Sequence, residues 1–154
     1  ETFLETGTLN LDDYTVVGLE AAWVHGQASV QAEWMWANGE TMGVDRDFYG
    51  AYVLGSYFLT GESRRYSVKR GGFGRVRPKR WFGAWQLAAR YSAVDLENAG
   101  IDGGEEHDVT LGLNWYIDRN FRVMFNAVFA DADRARDGRG DNPRFYQMRL
   151  QAAF

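Results

Sequence analysis

Arg90, Arg122 and Arg149 each stand in a stretch where polar and apolar residues alternate, and each falls on the polar side. Gln86, Ala88, Arg90 and Ser92 interleave with Trp85, Leu87, Ala89 and Tyr91, and Arg122, Met124, Asn126 and Val128 with Phe121, Val123, Phe125, Ala127 and Phe129. A guanidinium keeps its charge at any pH and offers forked donors, so such residues on a wetted surface suit an oxyanion. The competing role is structural, with each arginine pairing to Glu20, Glu33 or a loop acid and buttressing a wall. A second basic feature is the run Arg64, Arg65, Lys69, Arg70, Arg75, Arg77, Lys79 and Arg80, in a Gly-punctuated connecting segment over residues 60–82. Such a cluster suits nucleic acid, anionic lipid headgroups or a positively charged channel mouth, and equally a plain solvated loop.

Catalytic chemistry is not written in the chain, which points to no enzyme and calls for no cofactor or metal. His25 sits in a tight turn and His107 in a polar loop; with no Cys, no Gly-x-Ser-x-Gly elbow and no ligand spacing between them, both read as bystanders. Glu20 and Glu33 lie on neighbouring strands, where polar groups lining water explain them better than an acid/base pair. Asp131, Asp133, Asp137 and Asp141 are interleaved by Arg134, Arg136 and Arg139, which breaks any EF-hand spacing and leaves a solvated loop. Arg139-Gly140-Asp141 spells an adhesion tripeptide that chance explains.

The elements that must position these residues are strands. In the last eleven residues, Arg144 to Phe154, Tyr146, Met148, Leu150, Ala152 and Phe154 share one side against Gln147, Arg149, Gln151 and Ala153. A tilted strand of that length crosses a bilayer, and its polar side then needs the water of a lumen. The last strand of a soluble sandwich is the alternative. The same alternation predicts strands over 14–24, 27–37, 48–59, 83–92, 108–117 and 121–129. The two faces of 48–59 are nearly equally apolar, so its orientation stays open. Tight turns are expected at His25-Gly26 and Asp118 to Asn120, and polar loops over 38–46, 95–106 and 130–143. With Phe154 on the periplasmic side, the short turns become periplasmic and the long loops extracellular. The basic segment is the exception, being long yet on the periplasmic side. The apolar side collects Trp23, Trp34, Trp36, Trp85, Trp115 and the terminal Phe.

Composition agrees with an antiparallel up-and-down barrel. Aromatic residues are 16% of 154, Gly numbers 18, and no apolar run reaches the length of a helical span. A net charge of −4 gives the whole chain no footprint for nucleic acid. The chain does not open on a positively charged start followed by an apolar stretch, so any signal peptide has been cut away or was never included.

Seven strands raise a problem of closure, because a single-chain bacterial barrel needs an even number and an open edge in lipid is costly. Either an eighth strand lies in Phe3 to Leu9 or Tyr66 to Val76, or the chain is part of a larger barrel, which is the reading preferred.

The preference comes from a resemblance. Gly18-Leu-Glu-Ala-Ala-Trp-Val24, Gly50-Ala-Tyr-Val53, Ser56-Tyr-Phe-Leu-Thr-Gly-Glu62, Gly72-Phe-Gly-Arg-Val-Arg-Pro78, Gly83-Ala-Trp-Gln-Leu-Ala-Ala-Arg-Tyr-Ser92, Leu111-Gly-Leu-Asn-Trp-Tyr116 and the Phe154 terminus are together similar to the C-terminal portion of phosphate-selective porin O and P proteins. The resemblance implies an outer-membrane channel of about 16 strands, usually trimeric, passing anions such as phosphate or polyphosphate by diffusion. Seven strands in 154 residues is about 22 residues each, so such a barrel is well over twice this length and an N-terminal half is expected to be missing. The implied surroundings are a Gram-negative outer membrane, its lipid, inorganic anions, the missing half and two further copies. Arg90, Arg122 and Arg149 then line the anion path, and the basic segment gives the periplasmic mouth a positive potential. A non-transporting small barrel used as anchor or adhesin, or a soluble β binding module, is the competing function.

Overall fold

Alternation of polar and apolar residues becomes seven long strands joined as a meander. The computed structural model describes residues 13–41, 44–98, 101–134 and 139–153. The long strands are β1 (Asp13–His25), β2 (Ala28–Thr41), β3 (Val44–Phe58), β6 (Ala84–Asn98), β7 (Ile101–Tyr116), β8 (Phe121–Arg134) and β10 (Arg144–Ala152). The short ones are β4 (Tyr66–Ser67), β5 (Gly72–Phe73) and β9 (Arg139–Asp141). Every long strand pairs antiparallel with its neighbours in the order β1-β2-β3-β6-β7-β8-β10, and β9 pairs only with β8. No α-helix occurs among the described residues.

Register gives the sheet two faces. On one, Val30, Gly55, Ala89, Leu111, Ala127 and Tyr146 form a single row across six strands. The row one residue along belongs to the other face and reads Ser29, Ser56, Ala88, Gly112, Asn126 and Gln147. Strand β3, ambiguous by pattern, is oriented by pairing: Tyr49 lies opposite Trp36 and Leu54 opposite Gln31. Tyr49, Val53 and Tyr57 therefore join the apolar face, and Tyr52, Leu54 and Phe58 the polar one.

The apolar face is bare. Leu87 and Phe125 at its centre are 48% and 42% exposed, and neither a second sheet nor a helix covers them among the described residues. A soluble sandwich would seal that face against another layer. The buried apolar cluster instead lies at one end of the polar face, where Phe58, Val76, Ala84 and Tyr116 meet under the connection between β3 and β6.

Several expected loops are strand. Residues 38–46, 95–106 and 130–143 were expected as polar loops, but β2 and β3 pair out to Thr41 and Val44, and β6 and β7 out to Asn98 and Ile101. Strand β8 continues to Arg134, where β9 pairs with it. A backbone ladder needs no side-chain alternation, so hairpins run on after both faces turn polar. A bulge between Asp95 and Glu97 marks the change. Residues Tyr66 to Val76 add no eighth strand to the sheet: β4 and β5 form a separate two-stranded hairpin. Phe3 to Leu9 and Phe154 lie outside the described residues.

Candidate functional site

The connection over residues 59–83 is clasped at its base. Leu59 N donates to Trp85 O at 2.9 Å, and Trp85 N to Thr60 Oγ1 at 3.1 Å. Thr60 in turn donates to Glu62, whose other oxygen accepts the Lys79 N–H at 2.9 Å, while Lys79 Nζ reaches Gly61 O at 2.6 Å. Glu62 is only 2% exposed. Burial by itself would raise its pKa, but donors from Thr60 and the Lys79 backbone, with the Lys79 charge, hold the carboxyl below the usual range. Gly83 closes the clasp at φ +91°, where an added Cβ would overlap the Tyr116 carbonyl.

From this base one limb turns to the polar face. Tyr66 and Phe73 meet edge to face at 5.3 Å across the β4–β5 hairpin, and Gly74 N donates to Arg65 O at 2.8 Å. Arg64 lies over the Phe73 ring at 4.1 Å, with its Nε buried and without a hydrogen-bond partner among the described residues. Burial, and then the nearby Arg122 charge, lowers its pKa, while Tyr116 acts the other way. Arg64, Arg75, Arg119 and Arg122 line one cavity of about 270 Å³, with Asp118 as its acidic member. Asp118 also fixes the β7–β8 turn by accepting the N–H groups of Asn120 and Phe121 at 2.6 and 2.8 Å.

A transverse hydrogen-bond chain supports this end of the sheet. Ser29 Oγ and Ser56 Oγ are 2.7 Å apart, and Gln86 Nε2 donates to Ser56 at 2.8 Å. Gln86 Oε1 accepts from Tyr116 Oη at 2.9 Å and from Asn114 Nδ2 at 3.1 Å. Arg122 Nη1 donates to Tyr116 Oη at 3.1 Å, and Nη2 to Gln151 Oε1 at 2.6 Å. Six strands are thus linked side chain to side chain. Arg122 donates both of these hydrogen bonds to neutral partners, and no carboxylate lies within ion-pair reach of it among the described residues.

Arg90, Arg149 and Arg122 all lie on the polar face, but at different heights. Along β8 the levels are Val128, Met124 and Arg122, so Arg90 is about 14 Å and Arg149 about 7 Å from the Arg149 and Arg122 levels respectively. The Arg90 guanidinium lies over the Tyr52 ring at 4.4 Å, and Tyr52 Oη accepts from Gln31 Nε2 at 2.9 Å. Arg149 is exposed opposite Met124. Neither Arg90 nor Arg122 is ion-paired with Glu20 or Glu33, which face each other directly between β1 and β2.

The other candidate residues are dispersed. Arg65, Lys69, Arg75 and Arg77 are exposed, and Arg70 ends a 3-10 turn capped by left-handed Gly71. Arg80 stands 5.7 Å from the Phe82 ring and is not among the residues lining the cavity of Arg64 and Arg122. His25 stacks on Trp23 at 5.7 Å, and His107 on Tyr91 at 6.2 Å with a 3.1 Å contact to its hydroxyl. Asp131 opposes His107, Asp133 opposes Glu105, and Asp137 lies outside the described residues. Thr60, Glu62, Gln86, Tyr116, Arg119 and Gln151 went unrecognised as site residues in the sequence. For Glu62 a signal existed, since a lone acid beside a basic run is a ready acceptor.

The family model of phosphate-selective porin O and P matches residues 1–154. The chain belongs to this family. It is 34% identical over 96% of its length to an uncharacterised protein of Caulobacter vibrioides, and 30% identical over 92% to Porin O of Pseudomonas aeruginosa. The chain spans about a third of each of these relatives, 31% and 36% of their lengths. An antiparallel sheet with one bare apolar face and one hydrogen-bonded polar face is the fold this porin family membership calls for.

Proposed function

We propose that the longer protein to which this chain belongs is a Gram-negative outer-membrane porin through which small anions, phosphate or polyphosphate among them, diffuse without any catalytic step. In this reading the sheet forms part of a barrel of about 16 strands. Its apolar face meets lipid and its polar face a water-filled lumen, the remaining wall comes from strands outside this chain, and three copies associate. The carrying observation is the cavity shared by Arg64, Arg75, Arg119 and Arg122, with Arg122 held by Tyr116 and Gln151 rather than by an acid. A guanidinium seated on neutral partners retains its long-range attraction for an anion. Arg90 and Arg149 extend the cationic character along the polar face, and the segment's exposed cations add to the potential of the periplasmic mouth.

Reversal potentials of the full-length protein in planar bilayers across a salt gradient test the proposal. Anion-selective channels that lose selectivity in Arg122→Glu are the expected result. Channels without anion preference remove the anion part. No channels at all favour a non-transporting barrel or a β binding module.

A further inference from the structure

The outgoing limb of the connection, Arg80-Trp81-Phe82, departs from the polar face that its other limb serves. Gly83 N donates to Arg80 O at 3.1 Å, closing a turn that throws residues 81 and 82 outward. Trp81 is 95% exposed and stands edge-on to Phe82 at 5.8 Å. The Phe82 carbonyl accepts from Trp115 Nε1 at 2.9 Å, and Trp115 stacks on Trp85 at 5.4 Å with ring planes 8° apart. Trp85 and Trp115 pair on the sheet's apolar face, since Leu87 and Leu113 follow them two residues along. The limb is thereby continuous with the rim of that face, while Arg64 and Arg75 sit on the opposite side of the wall. Arg80, its guanidinium 5.7 Å from the Phe82 ring, supplies positive charge beside the two rings.

An indole left this bare carries an apolar body and one N–H donor, a combination that gains most where one end is greasy and the other wet. The guanidinium of Arg80 nearby matches lipid phosphate by charge and forked geometry. We infer that Arg80-Trp81-Phe82 is an interfacial anchor for glycerophospholipid, with the Trp81 ring at the boundary of headgroups and acyl chains and Arg80 on a lipid phosphate. The inference rests on the membrane reading proposed above. It makes the connection a strap across the rim of the wall, tied to lipid on one side and carrying Arg64 and Arg75 into the polar face on the other.

The test uses full-length protein labelled with 5-fluorotryptophan in phospholipid nanodiscs, with the Trp81 resonance identified by its loss in Trp81→Phe. A headgroup spin-labelled lipid is expected to broaden that resonance several-fold more than a water-soluble gadolinium chelate does, and Arg80→Gln to reduce the effect. Broadening by the chelate alone places Trp81 in water and overturns the anchor. Protection from both agents overturns it in favour of a protein contact, such as a second copy. The Trp85 and Trp115 resonances separate the two readings. If the lipid label reaches them but not Trp81, only the anchor fails, whereas if it reaches none of the three, the membrane reading fails as well.

Discussion

Arg122 and Tyr116 are joined twice, by a 3.1 Å hydrogen bond from Nη1 to the phenol oxygen and by the guanidinium standing 5.3 Å from the ring centroid. The arrangement aims a permanent charge without neutralising it. In water a unit charge 4 Å from an ion is worth about 1 kcal/mol, roughly a five-fold change in occupancy. Arg122→Gln in the full-length channel should lower the anion-to-cation permeability ratio by about that factor, and Arg122→Glu by more, with barrel yield unchanged. Unaltered reversal potentials with failed assembly would instead make Arg122 a structural strut.

Tyr116 is the node of the transverse chain, accepting from Arg122 and donating to Gln86 at 2.9 Å. Tyr116→Phe keeps the ring in the buried cluster and deletes only the hydroxyl. The loss should be about 1 kcal/mol, the net worth of an ordinary hydrogen bond, with somewhat more if Gln86 is left unsatisfied. Urea-midpoint titration of the folded barrel measures it. A drop in single-channel anion selectivity alongside it would tie the chain to the aim of Arg122.

Gly83 should not tolerate a side chain. Its φ of +91° disfavours any L-residue, and a Cβ there would overlap the Tyr116 carbonyl and come within 2.9 Å of Trp115 Nε1. Gly83→Ala is expected to cost at least about 1 to 3 kcal/mol and to free the base of the connection. Limited proteolysis between residues 60 and 82 of the assembled protein should show the release. Resistance equal to wild type would mean that the clasp at Thr60, Glu62 and Lys79 suffices alone.

Much of this was legible because period 2 is a strong signal wherever one face is apolar. Arg90, Arg122 and Arg149 fell on the polar side by counting, and a one-residue slip would have put all three among Tyr91, Val123 and Leu150. Strand β3 resisted, since Tyr52 and Leu54 are as apolar as Val53 and Tyr57, and its orientation came only from pairing Tyr49 with Trp36. Strand ends were hidden for the opposite reason, as both faces of 95–106 are polar and the backbone ladder persists without them. The chain Ser29, Ser56, Gln86, Tyr116, Arg122 and Gln151 is spread over more than a hundred positions and exists only through register. Nor does the basic run announce that Arg64 and Arg80 part company, because that depends on the clasp between them.

The apolar face gives a sharp energetic test of the membrane reading. Leu113 lies opposite Leu87 and Phe125 at the centre of that face. On the lipid side of an outer-membrane barrel an Arg near the midplane costs about 2 to 4 kcal/mol. Leu113→Arg should therefore depress folded yield in lipid vesicles, while a matched change on the polar face, Asn126→Arg, is tolerated. Equal tolerance of both would argue that Leu113 faces water.

Glu62 supplies a pH dependence confined to the connection. Its carboxyl is held below the ordinary value of 4.5, so in the unfolded chain it binds a proton more readily than in the fold. The stabilisation is fully present above about pH 4.5 and is lost as pH falls through the depressed folded value. Acidification through that window should first loosen the Lys79 amide, which donates to Glu62, and then the limb bearing Arg64. Hydrogen exchange of residues 60–82, corrected for the intrinsic pH effect on exchange, should rise there while the β6–β7 pairing stays protected. Glu62→Gln keeps an acceptor without the charge, so the connection should be looser at neutral pH and lose this acid response. If the variant instead retains the wild-type acid response, Glu62 is not the titrating group.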